Sequence, residues 1–129
     1  MEQDIIITII SIIMLKNKLL ITGAAGFIGF HLCESLLKDG YDIFGIDNIN
    51  SYYDVSLKNK RLDILKKYPN FTFDKVDISD RATLAQSFNS FNPEKVVNLA
   101  AQAGVRYSLK NPYAYMNSNL VGFLNIIEL

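Results

Sequence analysis

Apolar and polar positions divide the chain into short apolar runs and longer segments with helical spacing. The apolar runs predict four strands, at 18–21, 41–46, 71–76 and 95–100. Helical spacing predicts helices at 30–37 and 54–68, then one capped by Ser79 or Asp80, and a last one starting at Asn111-Pro112. Strands that alternate with helices predict a parallel, doubly wound α/β sheet. About four strands are present, so we expect a Rossmann-type sheet that is incomplete.

The predicted helix at 54–68 has a mixed composition. Asp54 is a candidate N-cap, and Val55, Leu62 and Leu65 form an apolar stripe. The several lysines of this segment, together with Arg61, are interpreted as a solvent-exposed face.

The N-terminal segment is unlike the rest of the chain. Ile5 to Leu15 is almost wholly apolar but too short to span a bilayer, and it lacks the basic flank and cleavage pattern of a signal peptide. It is open to three interpretations: a weak membrane anchor, an extra strand, or translated upstream sequence, which we favour. We therefore expect residues 1–17 to lie outside the fold and a membrane role to be absent.

A glycine-rich run at Thr22–Gly29 follows the first strand and precedes the first helix of the domain. Gly23 allows a tight turn, Gly26 lets a pyrophosphate approach the backbone, and Gly29 allows close packing of helix on sheet. The first turn of that helix would direct free N–H groups at the pyrophosphate. This arrangement predicts a dinucleotide site.

Asp47 ends the second predicted strand, twenty-four residues after Gly23. Its carboxylate would accept hydrogen bonds from the adenosine ribose and repel a 2′-phosphate, which favours NAD over NADP. No arginine lies near Asp47 in the sequence to reverse that preference. Other polar clusters follow the predicted strands at Asp77-Ile78 and Ala101-Gln102, the edge of the sheet where ligands bind in such folds.

Bulk composition narrows the possible functions. The chain has 129 residues, enough for one domain, and 13 basic residues balance 13 acidic ones, so nucleic acid is not an expected partner. The single cysteine, Cys33, fits a reducing, cytoplasmic compartment and a buried apolar role. The only histidine, His31, has no partners at metal-ligand spacing, so no metal is expected.

Two runs carry a more specific resemblance: DNINSYYDVSLK from Asp47 to Lys58, and AAQAGVRYS from Ala100 to Ser108. With the glycine run, they resemble the extended short-chain dehydrogenase/reductases of the NAD-dependent epimerase/dehydratase family. The similarity covers about residues 18–129 and is greatest to UDP-glucuronate 4-epimerases. It implies NAD as cofactor and a UDP-sugar as substrate. One departure is Asn98, at a position that is often histidine in relatives, where we expect little consequence.

The resemblance implies a role for particular side chains. Arg106 and Tyr107 would face the sugar nucleotide, with the arginine binding a carboxylate or phosphate. Asn119 would contact the cofactor side of the site. The remaining cofactor contacts would be Gly23, Gly26, Phe27, Ile28, Gly29, Asp47, Asn48, Asn50, Ser51, Asp77, Ile78, Leu99, Ala100, Ala101 and Gln102.

Catalysis in this family uses a tyrosine as general base and a lysine four residues later that lowers its pKa. None of the seven tyrosines of this chain has a lysine at that position. We therefore expect an N-terminal part of an epimerase that has no catalytic residues of its own, lacks the substrate domain and is inactive alone. Its full-length relatives would be homodimers.

Two other interpretations remain open. One is a 4,6-dehydratase or another epimerase of the same family, and the other is a non-catalytic NAD-binding module. The residues from Gln102 to Ser108 favour an enzyme, and the coding sequence downstream would distinguish these possibilities.

Overall fold

The computed structural model describes residues 1–15 and 17–129, and the side chains of residues 1–10 and 17–129. Its four strands are β1 (Lys18–Thr22), β2 (Asp42–Asp47), β3 (Phe71–Lys75) and β4 (Lys95–Asn98). They form one parallel sheet in the order β3-β2-β1-β4. In the register, Leu20 of β1 lies opposite Phe44 of β2 and Val96 of β4. This order confirms the predicted Rossmann-type sheet.

Helices connect the strands and cover the sheet on two sides. Two of them start at an aspartate whose side chain caps the first turn: Asp54 accepts from the Ser56 N–H at 2.8 Å, and Asp80 from the Thr83 N–H at 3.2 Å. The helices are α1 (Glu2–Leu15), α2 (Phe27–Lys38), α3 (Val55–Leu65), α4 (Arg81–Phe91), α5 (Pro112–Tyr115) and α6 (Phe123–Glu128).

Side chains from the two faces of the sheet pack into two separate hydrophobic cores, as expected for a doubly wound fold. One core packs β1 and β2 against α2 and α3, around Ile21, Ile43, Cys33 and Leu65. The other packs the opposite face against α4 and α6, and its buried members are Leu20, Phe44, Ile46, Val76, Ile78, Leu84 and Ile126. Because β1 and β2 are buried on both faces, they are apolar almost throughout.

The ends of the chain differ from expectation. The apolar N-terminal run lies in α1, so its interpretation as an extra strand is wrong. Residues 2–10 of this helix are exposed. The last predicted helix is interrupted by a π-helical segment, Met116–Gly122, between α5 and α6, and a 3₁₀ turn, Val105–Leu109, precedes it. In the described residues, no helix has the length and hydropathy needed to cross a bilayer.

The prediction that the basic residues of α3 form a solvent-exposed face is also wrong at two positions. Lys58 is buried with only 6% of its surface exposed, and Arg61 is half-buried. The reason is geometric: Lys58 precedes Leu62 by four residues and Leu65 by seven, so it lies on the buried stripe of the helix.

Candidate functional site

The glycine turn after β1 is built by backbone packed directly on backbone. Gly23 has a φ of +69°, and a Cβ there would lie 3.0 Å from the backbone nitrogen of Ala100. A Cβ on Gly29 would overlap the carbonyl oxygen of Gly23 and lie 2.8 Å from its carbonyl carbon. Both positions therefore require glycine, and α2 starts in contact with the turn.

The first turn of α2 faces open space. Gly26 is its N-cap and supplies no side chain, while Phe27 and Ile28 are each 67% exposed. The Phe30 N–H donates to the Gly26 carbonyl at 3.0 Å, which leaves the N–H groups of the preceding helical residues directed outward. A helix start with glycine on its near side and no capping side chain is suited to an anion.

Asp47 lies beside this turn at the end of β2, and only 7% of it is exposed. Its Oδ2 accepts from the Ala25 N–H at 3.2 Å, and its Oδ1 accepts from the Ile49 N–H at 2.8 Å. The Nζ of Lys58 is 3.4 Å from the same Oδ1. The carboxylate is thus fixed by two backbone segments and one cation.

Arg61 follows Lys58 by one helical turn and holds the glycine run from the other side. Its guanidinium donates to the Ala25 carbonyl at 3.2 Å and lies 5.9 Å from the centre of the Phe27 ring. The sequence pattern did not predict that Lys58 and Arg61 belong to the site, and the spacing of Lys58 from Leu62 and Leu65 is the signal that would have found the first.

Thr22 joins the end of β1 to the end of β4, and sequence analysis gave it no role. Its buried hydroxyl donates to Oδ1 of Asn98 at 2.5 Å and accepts from the N–H groups of Leu99 and Ala100 at 2.9 Å each. Asn98 therefore takes part in this junction, and the backbone after β4 is held next to the glycine turn.

Asn119, in the π-helical segment, fixes the next part of that loop. Its Oδ1 accepts from the Gln102 N–H at 2.8 Å, and its Nδ2 donates to the Gln102 carbonyl at 3.1 Å. The side chain is occupied by these two bonds and does not line the cavities described below. The structure thus places Asn119 behind the loop.

Asp77 closes the opposite side of the site, after β3. It accepts from the Asn48 side chain at 3.1 Å and from the N–H and hydroxyl of Ser79 at 2.9 and 2.7 Å. Partial burial alone raises the pKa of Asp77, but the bonds from Ser79 and Asn48 outweigh it, so the pKa lies below its usual value. The adjoining Ile78 is held from behind, because the buried Asn125 donates to its carbonyl at 2.9 Å.

These elements enclose a cavity of about 570 Å³, here called the glycine-turn cavity. Its wall includes Lys58, Arg61, Leu57 and Val76 beside most of the residues predicted from the sequence. The predicted residues that line it are Gly23, Gly26, Phe27, Ile28, Gly29, Asp47, Asn48, Asn50, Asp77, Ile78, Leu99, Ala100, Ala101 and Gln102.

A second cavity, of about 600 Å³ and here called the polar cavity, adjoins the first. The residues that line both cavities are Asn48, Asn50, Tyr52, Asp77, Gln102 and Ser118. Ser51 and Tyr107 line the polar cavity instead. Arg106 is exposed on the 3₁₀ turn and, in the part of the chain that the structure describes, lines neither cavity.

Tyrosines connect the loop after β2 with the loop after β4. The ring centroids of Tyr52 and Tyr107 are 4.9 Å apart. The Tyr115 hydroxyl donates to the Ala103 carbonyl at 2.9 Å and also to the carbonyl of Gly104. Desolvation and the neighbouring phenols raise the pKa of Tyr115 above its usual value. The loop after β4 is therefore fixed on two sides.

Cys33, the residue considered for thiol chemistry, does not line the glycine-turn cavity. Burial raises the pKa of the Cys33 thiol to about 12, and the residue is wholly enclosed in the α2 core. Among the side chains that the structure describes, those of residues 1–10 and 17–129, no three histidine, cysteine or acidic groups form a cluster able to hold a metal ion.

The parallel sheet, the glycine turn and the buried carboxylate at the end of β2 define a Rossmann-type α/β domain. The profile of the family described as GDP-mannose 4,6 dehydratase matches residues 20–129. The chain therefore belongs to this family of NAD-dependent epimerases and dehydratases, as the glycine and AAQAGVRYS runs predicted.

Curated relatives agree with this assignment. The chain is 56% identical over 111 residues to protein CapI of Staphylococcus aureus, covering 86% of this chain and 33% of that protein. It is 49% identical over 110 residues to the UDP-glucuronate 4-epimerase of Thermodesulfobacterium geofontis, covering 85% and 34%. The chain thus spans about a third of the length of these relatives.

Solved structures show the same fold. The UDP-glucuronic acid 4-epimerase of Bacillus cereus, in complex with UDP-glucuronic acid and NAD, is 36% identical with a TM-score of 0.74, over 86% of this chain and 35% of that one. The UDP-glucose 4-epimerase of Thermus thermophilus, in complex with NAD, is 33% identical with a TM-score of 0.71, over 85% and 32%.

Proposed function

We propose that this chain is the NAD-binding part of a nucleotide-sugar 4-epimerase that interconverts UDP-glucuronate and UDP-galacturonate. The observation that supports NAD as the cofactor is the glycine-turn cavity. The uncapped start of α2, with Gly26 on its near side, offers N–H groups to a pyrophosphate, and Asp47 lies where an adenosine ribose would follow. The epimerase assignment is supported by the named relatives and by the loop after β4.

The residues of the site fit each part of NAD. Val76 and Ile78, which line the cavity, would offer apolar surface for the adenine, and Asp47 would accept a hydrogen bond from the ribose. The backbone of Leu99–Gln102, held by Thr22 and Asn119, borders the path toward the nicotinamide. When bound, NAD would supply the hydride acceptor and donor for oxidation and re-reduction at C4 of the sugar.

We further propose that Arg106 and Tyr107 face the sugar nucleotide, and that the 129-residue chain has no epimerase activity. The sequence supports the second point, because it contains no tyrosine with a lysine four residues later. The chain would bind the cofactor with its own residues and depend on others for proton transfer.

A fluorescence titration with NADH tests the cofactor assignment. We expect saturable binding that ADP-ribose displaces, because the cavity recognises the adenosine and pyrophosphate end, whereas nicotinamide mononucleotide should compete poorly. Absence of NADH binding by the folded chain would contradict the proposal. In parallel, UDP-glucuronate incubated with the chain and NAD should remain unconverted, and appearance of UDP-galacturonate would refute the predicted inactivity.

A 4,6-dehydratase is the second candidate, favoured by the description of the matching family. It would use the same cofactor residues, so NADH binding does not separate the two. Loss of water from a UDP- or GDP-hexose by a longer protein carrying this domain would favour it.

A further inference from the structure

The ammonium group of Lys58 has an unusual position for a lysine in a helix rich in exposed charges. Its side chain is 8% exposed, its Nζ is 3.4 Å from Oδ1 of Asp47, and the residue lines the glycine-turn cavity. A buried lysine is stable when a carboxylate compensates its charge, and Asp47 is that carboxylate. Lys58 is thus held at the wall of the cavity, directly beside the predicted ribose site.

Asp47 and Lys58 differ in the hydrogen-bond capacity that each has left for a ligand. Asp47 has about four lone-pair directions and already accepts from Ala25, Ile49 and Lys58. The ammonium group of Lys58 has three N–H donors, and within the described residues its one hydrogen bond is to Asp47. Asp47 alone is therefore nearly saturated, whereas Lys58 retains donors for a hydroxyl or phosphate oxygen.

The charges at this end of the cavity also differ from what the sequence suggests. Asp47 contributes one negative charge, and Lys58 and Arg61 each contribute a positive one in the wall of the same cavity. A 2′-phosphate entering this end would therefore meet a compensated carboxylate and a second cation. Because Lys58 compensates its charge, Asp47 repels such a phosphate less than a lone carboxylate would.

We propose that Lys58 is a specificity-determining residue of the dinucleotide site. It donates to an oxygen of the adenosine ribose, and its charge reduces the discrimination between NAD(H) and its 2′-phosphorylated form. This inference rests on the proposed function, since it requires that the cavity binds a dinucleotide.

The test compares NADH and NADPH dissociation constants for the unmodified chain and for Lys58→Gln and Lys58→Met. Removing the cation leaves the charge of Asp47 uncompensated, so we expect the NADPH/NADH ratio of dissociation constants to rise by about tenfold, from the energy of a unit charge at close range. NADH itself should bind roughly threefold to tenfold more weakly, because one hydrogen bond is lost.

Lys60→Met is the matched control. Lys60 is two residues away on the same helix and exposed, and it does not line the glycine-turn cavity, so the variant makes the same change in net charge. Its ratio should equal that of the unmodified chain. Lys58→Gln guards against a folding failure of Lys58→Met, because its amide retains a donor for Asp47 without the charge.

The outcomes separate the two proposals. If the unmodified folded chain does not bind NADH, the proposed function fails and this inference fails with it. If it binds NADH but Lys58→Gln weakens NADH and NADPH by the same factor, Lys58 has only a structural role and the inference alone is overturned. A ratio that rises in Lys60→Met as well would also overturn it, since net charge would then be the cause.

Discussion

The region from β1 to β2, residues 18–47, and the region after β4, residues 99–129, are organised on different principles. In the first, the strands are almost wholly buried, and side chains such as Ile21 and Ile43 are fully enclosed. In the second, Val105 is 87% exposed, Leu109 88% and Tyr113 77%. The first region is stabilised by apolar burial, which is the largest favourable contribution to folding.

The second region places Ile126 in the buried core, and amide side chains fix other parts of its backbone. Asn119 binds the backbone of Gln102, and Asn125 binds the carbonyls of Ile78 and Ser79. Hydrogen bonds of this kind fix geometry with a small net contribution to stability. The comparison indicates that the candidate site combines a rigid, self-contained turn with a loop whose position depends on a few polar contacts.

The largest expected difference is between Leu20→Ala and Leu109→Ala. Leu20 is fully buried in the centre of the sheet, so its truncation should lower the free energy of unfolding by about 2–5 kcal/mol. Leu109 is 88% exposed, and its truncation should change that free energy by less than about 0.5 kcal/mol. Urea unfolding of both variants measures the difference, and similar losses would mean that the two regions are not stabilised differently.

An intermediate effect is expected for Asn125→Ala, which removes the donor to Ile78 and Ser79. The residue is 5% exposed, so the carbonyl groups would lose a buried partner at a cost of about 1–3 kcal/mol. Asn117→Ala, at an exposed position of the π-helical segment, is the matched control and should have little effect. If thermal denaturation does not separate the two variants, the amide contacts do not hold this region.

The smallest expected effect is the loss of helix-cap stabilisation by Asp54 and Asp80 at low pH. Hydrogen bonds from Ser56 and Thr83 hold the pKa values of Asp54 and Asp80 below their usual range. Because the folded pKa is the lower one, each carboxylate stabilises its helix above the unfolded pKa of about 3.9, and this stabilisation is lost as the pH falls through the folded pKa. The last helical stretch is capped by Asn111, an amide that does not titrate in this range.

Amide NMR signals of Ser56, Thr83 and Ala114 between pH 5 and about pH 2 test this contrast. The first two should shift with acid, and the signal of Ala114, which is bound to Asn111, should not follow them. Asn also caps helices, so Asp54→Asn should abolish the shift at Ser56 and keep the helix. A persistent shift in that variant would show that the carboxylate is not its cause.

The sequence predicted the fold and most of the cavity wall because the relevant signals are local. Gly23 and Gly29 stand at fixed spacing after an apolar run, and Asp47 ends the next one, so strand, turn, helix and carboxylate could be ordered without coordinates. The four strands were found within two residues of their observed ends, because short apolar runs bounded by polar residues specify buried parallel strands.

What the sequence did not reveal depends on side chains far apart in the chain. The pairs Thr22–Asn98 and Ile78–Asn125 join residues separated by 76 and 47 positions, and no periodicity connects them. Lys58 is different, since helical spacing placed it on the apolar stripe and only its charge suggested exposure. The roles predicted for Arg106 and Asn119 came from resemblance, and the observed positions of these residues outside the cavity wall leave them as predictions.

The hydroxyl of Thr22 uses its one donor and both acceptor directions within the protein, on Asn98, Leu99 and Ala100. It therefore has no rotational freedom left to lose when a ligand arrives. The backbone beyond β4 is ordered when the chain folds, so a bound molecule would not bear the entropy of arranging it. A valine at this position would match the shape of threonine but leave the N–H groups of Leu99 and Ala100 without this acceptor. The backbone beyond β4 would then be less preorganised for a ligand.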